Sequence, residues 1–445
     1  MILSGMTTER TVHILWDTSR IWGLMAWRAL KTMGYACRLS KGLEIADGTL
    51  LGKPAGYPPA AMLLVPGGSA ALKARALGRR GMQAVRAFVA GGGGYLGICG
   101  GAGLGLKSRD AGTSLGLCPW SREGYPERLQ HLISGHLRAA TAKGELSLPV
   151  WWPGRFSPRD GSGVEILATC LHPEEDFWLA DLPLAAIPPH VIEMWRTVYG
   201  ADLSARFLEN RPLMVGGGFG KGRYVLSYPH LETPDSPQAN AWLRELLDEL
   251  SGGAAPRAAA VSPRKADGKT GADGAPRPVP GWDLDEVPCA WPDAELAGPL
   301  VRAMRLTRAL FDTGEQHHLC VRRTPWLWGW RSGYPGAPLN YLHTALCTAV
   351  SLEPSAETLA LWRDTRAEFS RMADTFASGA EDFLLTCRLS EALGPTAPHV
   401  IDRKELQERS MAIFGRHMTG GGLLEELLDR TEQLILLSQD RPFHC

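Results

Sequence analysis

Gly92-Gly93-Gly94-Tyr95-Leu96-Gly97-Ile98-Cys99-Gly100-Gly101 is the stretch on which the fold turns. Tyr95 to Ile98 is a short apolar run with the pattern of a buried strand, and a short helical stretch follows. Between them the order Gly-x-Cys-x-Gly is that of a nucleophile elbow, with cysteine in place of serine. A strand turning sharply into a helix strains the nucleophile's backbone, and flanking side chains would collide with neighbouring strands. The same turn aims a helix N-terminus at the sulfur, where partial positive charge favours the reactive thiolate. The Gly100 amide is then placed to donate to an oxyanion. Taken alone, the stretch also fits a glycine-rich turn around an inert buried cysteine.

Working outward, Thr11 to Trp16 reads as a strand, and Ile21 to Met33 as a helix that stops at Gly34. Ala61 to Val65 is another apolar run, and Met82 to Val89 is helical. Strands that are apolar throughout, separated by amphipathic helices, predict a parallel sheet covered on both faces. From Leu146 to Tyr228 the segments shorten and turn β in character. Leu146–Trp152 and Val164–Ala168 are two of them, and Leu213–Ser227 reads as a hairpin turning at Gly220-Lys221-Gly222. A helix is expected from Ser236 to Leu250. Residues 253–280 hold no aromatic side chain and only Val261 and Val279 as larger aliphatics, the composition of a flexible linker. Beyond it, helical spacing dominates, in Leu359, Trp362, Phe369 and Met372 and again in Leu424, Leu427, Leu428, Thr431 and Ile435. The expected organisation is an α/β domain over 1–252, a linker over 253–280 and a mainly α-helical domain of unknown role over 281–445. No internal repeat is visible.

Composition narrows the function classes. At 445 residues the chain is too long for one ordinary core. Its 47 basic and 47 acidic residues balance to zero net charge, so nothing points to nucleic acid or to an anionic membrane. No apolar run has the length of a membrane span, and no signal pattern precedes the first strand, so a cytoplasmic protein is expected. The nine cysteines are odd in number and form no Cys-x-x-Cys pair, which argues against a disulfide framework or a zinc knuckle. No cofactor and no metal are expected.

Two further pieces belong with Cys99. Tyr228-Pro229-His230-Leu231-Glu232 ends the late hairpin, and His-x-Glu at a strand end can present imidazole to the thiol while the carboxylate holds its tautomer. By itself such a pair is more often a surface contact. Val65-Pro66-Gly67-Gly68 is a second glycine turn at the carboxyl end of a strand, where α/β sheets build their sites. Gly67 or Gly68 could supply a second oxyanion amide. Other motifs are decoys. Gly216 to Gly222 lacks the first glycine and the hydroxyl residue of a phosphate loop and reads as a hairpin turn. Gly91 to Gly94 reads as a helix stop. His317-His318 with Cys320 lacks a fourth ligand. Trp326, Trp328 and Trp330, with Tyr334 nearby, read as core packing or as an exposed aromatic platform.

In this order and spacing the motifs resemble the class I glutamine amidotransferase-like superfamily, and most of all the domain preceding the catalytic part of eukaryotic biotin–protein ligases, which also occurs in bacterial proteins. The phrases that carry it are Leu64–Gly68, Gly92–Gly101, Pro149-Val150-Trp151-Trp152-Pro153-Gly154, and Gly220-Lys221-Gly222-Arg223 leading to Pro229–Glu232. The resemblance spans roughly residues 10–250. It implies a flavodoxin-like sheet and a triad at Cys99, His230 and Glu232. Two departures stand out. Glutamine-hydrolysing relatives look like Gly-x-Cys-x-Gly-x-Gln, and here the last position is Gly103. Nothing after residue 280 resembles a biotin ligase, so biotinylation is not expected.

The expected function is a cysteine-dependent amidase or hydrolase working through an acyl-thioester on a small amide-containing substrate. Gly67, Gly68 and Gly100 are its oxyanion candidates. The rival is a binding or scaffold module that keeps the elbow as architecture and engages a protein partner through its helical domain. A cysteine-based chaperone or deglycase, as in other branches of the superfamily, is a third reading.

Overall fold

The alternation read from the first hundred residues is the order in which the chain builds its sheet. Strand β1 (Thr11–Leu15) leads through helix α1 (Arg20–Met33) to β2 (Cys37–Ser40), and the short α2 (Gly42–Ala46) leads on to β3 (Ala60–Val65). Helix α3 (Ala70–Ala90), broken at Gly78, then leads to β4 (Gly94–Ile98) and the six-residue α4 (Gly100–Gly105). The computed structural model describes residues 11–53, 59–108, 112–124, 133–161, 163–200, 208–252, 279–330, 336–416 and 421–441. Helix α1 stops where expected, because Gly34 takes a left-handed conformation (φ 82°) that places its N–H on the carbonyls of the last turn. The helix expected from Met82 to Val89 is the second half of α3, whose N-cap Ser69 accepts from the Leu72 amide.

The later strands extend this sheet. A small ribbon pairs β5 (Ser121–Arg122) with a strand beyond the hairpin of β6 (Ile133–Thr141) and β7 (Gly144–Trp151), namely β8 (Phe156–Ser157). Then come β9 (Glu165–Pro173), β10 (Trp178–Leu179), β11 (Leu182–Pro183), helix α5 (Pro189–Tyr199), β12 (Pro212–Phe219), β13 (Gly222–Ser227) and helix α6 (Pro237–Leu250). The sheet runs β11-β10-β6-β9-β12-β13-β4-β3-β1-β2, with β7 paired to β6. Its parallel half, β13-β4-β3-β1-β2, has the flavodoxin-like order, and its central strands β3 and β4 are apolar and buried throughout, as strands covered on both faces are. From β12 outward the pairing is antiparallel: β12 and β13 form the hairpin expected over Leu213–Ser227, and the further pairing through β9 to β6 extends the sheet beyond the expected parallel half. Gly220-Lys221 is the turn between β12 and β13. A β-carbon on Gly220 (φ 62°) would lie 2.7 Å from Ala90, and one on Gly222 would lie 2.1 Å from the Val89 carbonyl oxygen. These glycines let the hairpin turn press against the end of α3.

The chain divides into two compact units, Met1–Pro280 and Gly281–Cys445. The expected linker 253–280 lies outside the described residues except at Val279 and Pro280, and there the expectation of flexibility fails. Val279 is buried, its N–H donates to Asn240 Oδ1 at 3.0 Å, and its carbonyl accepts from the Asp235 amide at 3.1 Å. Arg28 donates to the Pro280 carbonyl at 2.8 Å. The Asn240 and Arg28 side chains and the Asp235 main-chain amide thus satisfy this backbone where no sheet or helix does.

The second unit is helical, with α7 (Ala294–Gln316), α8 (Gly336–Ser351), α9 (Ala356–Leu393), α10 (Arg403–Phe414) and α11 (Gly422–Ser438), and one ribbon of β14 (Cys320–Thr324) and β15 (Leu327–Trp330). Asp293, Ser355 and Asp402 cap three of the helices through their side chains. Trp362, Phe369, Leu424, Leu427, Leu428 and Ile435, picked out by spacing, are buried. No helix among the described residues is long and apolar enough to cross a membrane.

Candidate active site

Cys99 sits between β4 and α4 with φ 49° and ψ −101°, the strained turn of a nucleophile elbow. Such a conformation in a residue with a side chain costs on the order of 1–3 kcal/mol and persists only where its surroundings enforce it. Here they do. A β-carbon on Gly100 would lie 1.9 Å from the Gly68 carbonyl oxygen, and one on Gly101 would lie 1.9 Å from that of Val65. On Gly97 it would lie 2.5 Å from the Gly101 carbonyl oxygen. The Cys99 N–H donates to the Ser227 carbonyl at 2.6 Å, pinning the elbow to the end of β13 just before the His230 loop.

That loop carries the other two predicted residues to the same place. His230 Nδ1 lies 2.8 Å from Glu232 Oε1, and both side chains are wholly buried. A carboxylate can only accept, so Nδ1 carries the hydrogen, and Nε2 is the atom free to exchange a proton with sulfur. The His230 N–H donates to the Pro149 carbonyl at 2.8 Å, Thr233 Oγ1 donates to the His230 carbonyl at 2.7 Å, and Asn240 Nδ2 donates to the carbonyls of Leu231 and Thr233 at 2.9 Å. The loop is irregular, and its backbone is satisfied almost entirely by these side chains and by β7.

Gly67 and Gly68 close the site from the end of β3. A β-carbon on Gly67 would lie 2.7 Å from His230 Cε1 and 3.0 Å from Trp22, so only glycine lets the turn approach the imidazole. Gly68 has φ 109°, and its peptide packs directly against Gly100. All six residues predicted for the site, Cys99, His230, Glu232, Gly67, Gly68 and Gly100, meet at the carboxyl ends of β3, β4 and β13.

Sequence reasoning missed the aromatic wall of this site. Trp22 packs on His230 with ring centroids 4.4 Å apart, and Trp152 meets Trp22 edge-on at 5.8 Å. The Trp151 carbonyl is 3.9 Å from Cys99 Sγ, and the Trp151 indole donates to Thr233. The phrase Pro149–Gly154 signalled this region, but only as a resemblance. Nothing distinguished Trp22 from the other apolar residues of α1.

Burial alone would lower the pKa of His230. The Glu232 carboxylate and the Cys99 sulfur outweigh it and hold the imidazole up at about 9. The balance favours the protonated imidazole beside the sulfur.

The comparisons with known proteins fall in line with these motifs. Residues 43–109 match the family model described as biotin-protein ligase, N terminal. The resemblance first read from the glycine motifs is borne out over that stretch. It carries Gly67, Gly68, Cys99 and Gly100 and ends well before His230. Among solved structures, a glutamine amidotransferase is 19% identical, with 54% of this chain and 99% of that chain covered and a TM-score of 0.35. PurLQS from Thermotoga maritima is 13% identical, with 54% and 99% covered and a TM-score of 0.36. A catalytic mutant of a GH42 beta-galactosidase from G. stearothermophilus is 10% identical, with 54% and 30% covered and a TM-score of 0.32. These likenesses say nothing about activity. No curated protein matches the chain.

The remaining sequence candidates do not form a second centre in the helical unit. Among the described residues no group of three or more His, Cys, Asp or Glu is placed to hold a metal. Trp326 and Trp328 are buried, and Trp328 stacks on Phe311 with centroids 4.1 Å apart, so they pack the core of the unit rather than an exposed platform. Tyr334 lies outside the described residues.

Proposed function

We propose that the biotin-protein ligase N-terminal-like unit is a cysteine hydrolase that cleaves a small amide or related acyl compound through an acyl-thioester. The observation that supports this best is the His230–Glu232 pair, sealed from water, with its second imidazole nitrogen left to Cys99 on a strained elbow. Polar groups are buried in this way at a cost of several kcal/mol unless paired, on the order of 3–5 kcal/mol when one partner is lost. A site kept for its shape alone would hold an apolar trio more cheaply.

In this reading Cys99 Sγ attacks the substrate carbonyl while its proton resides on His230 Nε2. The tetrahedral oxyanion is held by the amides of Gly68 and Gly100, the latter a first-turn donor with no acceptor inside its own helix. His230 passes its proton to the departing amine, and the carbon–nitrogen bond breaks. Water, deprotonated by His230, then hydrolyses the thioester and frees the acid. Glu232 holds the tautomer throughout. Glutamine is not the favoured substrate, since position 103 is glycine and Trp22 and Trp152 wall the site with apolar surface.

The test is the rate at which iodoacetamide alkylates Cys99, mapped by mass spectrometry across pH, in wild type and in His230→Ala. At about neutral pH the wild-type rate is expected to exceed that of the variant by about tenfold or more, because a neighbouring cation favours the thiolate. Equal rates would mean an elbow without a working base, and the binding-module reading would replace this one.

A further inference from the structure

On β6, in the loop after β9 and at the start of α6, three other side chains stand in the order of a proton relay. Asp176 Oδ2 lies 2.7 Å from His136 Nδ1, and His136 Nε2 lies 3.0 Å from Ser236 Oγ. The other carboxylate oxygen of Asp176 accepts the His136 main-chain N–H at 2.9 Å, so aspartate and histidine are clamped at two points. Gly135 makes this clamp possible. At φ 132° it lets the loop after β9 close on β6, and a β-carbon there would lie 2.7 Å from both the Asp176 carbonyl oxygen and Phe177 Cα.

The carboxylate fixes the imidazole tautomer. Nδ1 carries the hydrogen, and in the neutral ring Nε2 is left with a lone pair facing a serine hydroxyl. Ser236 adds an oddity of its own. It occupies the N-cap position of α6, where a serine side chain ordinarily accepts from an amide of the first turn, a bond worth about 1 kcal/mol. It makes no such bond here. Its hydroxyl turns to the histidine, with a longer contact of 3.4 Å to the Pro234 carbonyl, and the first amides of α6 stay uncapped by it at the same turn. Ser236 is itself nearly buried, while the His136 side chain is 24% exposed, so the relay reaches solvent on the histidine side.

We propose that Ser236, His136 and Asp176 form a second, serine-based acyl-transfer site in the α/β unit, independent of Cys99, taking small activated esters. Ser236 Oγ would bond to the ester carbonyl carbon as its proton passes to His136 Nε2. The leaving alkoxide would take that proton as the ester bond breaks, and water would then release the acid from the serine ester.

The test uses the full chain and a fluorophosphonate probe, with adducts mapped by mass spectrometry. The serine oxygen displaces fluoride from phosphorus, so labelling reports an activated hydroxyl and needs no known substrate. Wild type is expected to label at Ser236. His136→Gln, which can still hold the hydroxyl but cannot take its proton, is expected to label about 100-fold more slowly, and Asp176→Asn about tenfold more slowly. A wild-type Ser236 that stays unlabelled, in protein whose Cys99 still reacts with iodoacetamide, would make the trio a structural strut. So would equal labelling in His136→Gln. Repeating the measurement in Cys99→Ala separates this proposal from the thiol chemistry, because the sulfur can then contribute nothing.

Discussion

Two histidines of one sheet face a carboxylate through Nδ1 at nearly the same distance, 2.8 Å for His230 and 2.7 Å for His136. What surrounds them differs. His230 and Glu232 are wholly buried, whereas His136 and Asp176 are 24% and 53% exposed. Distance therefore does not set what a pair can do. In water a carboxylate and an imidazolium attract weakly, and exposed pairs contribute about 0–1 kcal/mol. Sealed from water, the same pair interacts strongly and is costly to break. The buried pair can hold a proton that shapes the reactivity of the sulfur beside it. The exposed pair orients its ring through Asp176, and in the proposed relay Nε2 is left to take the Ser236 proton.

The largest effect expected from this contrast is on catalysis. Cys99→Ala is expected to lower hydrolysis of a p-nitroanilide, an amide outside the ester chemistry proposed for Ser236, by about 10⁴-fold or more, as loss of a nucleophile does. Initial rates with purified protein measure it. A rate that survives in Cys99→Ala and disappears in Ser236→Ala would invert the comparison and make the exposed site the working one.

Next comes stability at the elbow. Gly100→Ala would place a β-carbon 1.9 Å from a backbone oxygen of the facing turn, with no flexible side chain to give way. The cost is expected to be about 3 kcal/mol or more, read from urea unfolding of the variant against wild type. A loss below about 1 kcal/mol would mean that the two turns separate freely and that Gly68 and Gly100 do not form one rigid cradle.

The pair itself gives a pH signature. The pKa of His230 rises on folding from an ordinary 6.5 to about 9. The folded state thus binds this proton more tightly, and the stability it contributes is complete below about pH 6.5. That contribution falls as pH rises through about 9. Its size is roughly 3 kcal/mol, with no discount for exposure because both groups are fully buried. Unfolding free energies at about pH 6 and about pH 10 are expected to differ by that much more in wild type than in His230→Gln. Equal differences in the two proteins would show that Glu232 and Cys99 do not hold the proton in the folded state.

How far all this could be read beforehand follows from what each signal depends on. The parallel half of the sheet was legible because β3 and β4 are apolar throughout and the helices between strands are amphipathic, both local properties of sequence. The elbow was legible because close backbone approach demands glycine, and Gly67, Gly97, Gly100 and Gly101 each answer to a contact that any β-carbon would block. The antiparallel strands β10 and β11, two residues each, carry no period to read. Trp22 looked like core because it is core, and its contact with His230 depends on a loop two hundred residues away. The Ser236 relay was hidden for a similar reason. Ser236 resembled an ordinary helix cap, and its partners come from β6 and from the loop after β9.

The smallest effect sharpens the substrate question. The Gly-x-Cys-x-Gly-x-Gln pattern that Gly97–Gly103 resembles ends in glutamine, where this chain has Gly103. A β-carbon on Gly103 would meet only Ala70, at 3.4 Å, so the glycine is not required by packing. Replacing a helical glycine by glutamine also removes backbone freedom from the unfolded chain, worth up to about 1 kcal/mol. Gly103→Gln is therefore expected to fold with unchanged or slightly raised stability, by about 0.5 kcal/mol, measured by thermal unfolding. The same variant carries the chemical test, because glutamine can be offered to it and to wild type with ammonia release as the readout. Ammonia from the variant alone would show that the triad is a glutaminase lacking one binding residue. Ammonia from neither protein would leave the aromatic wall of Trp22 and Trp152 as the feature that decides which acyl group enters.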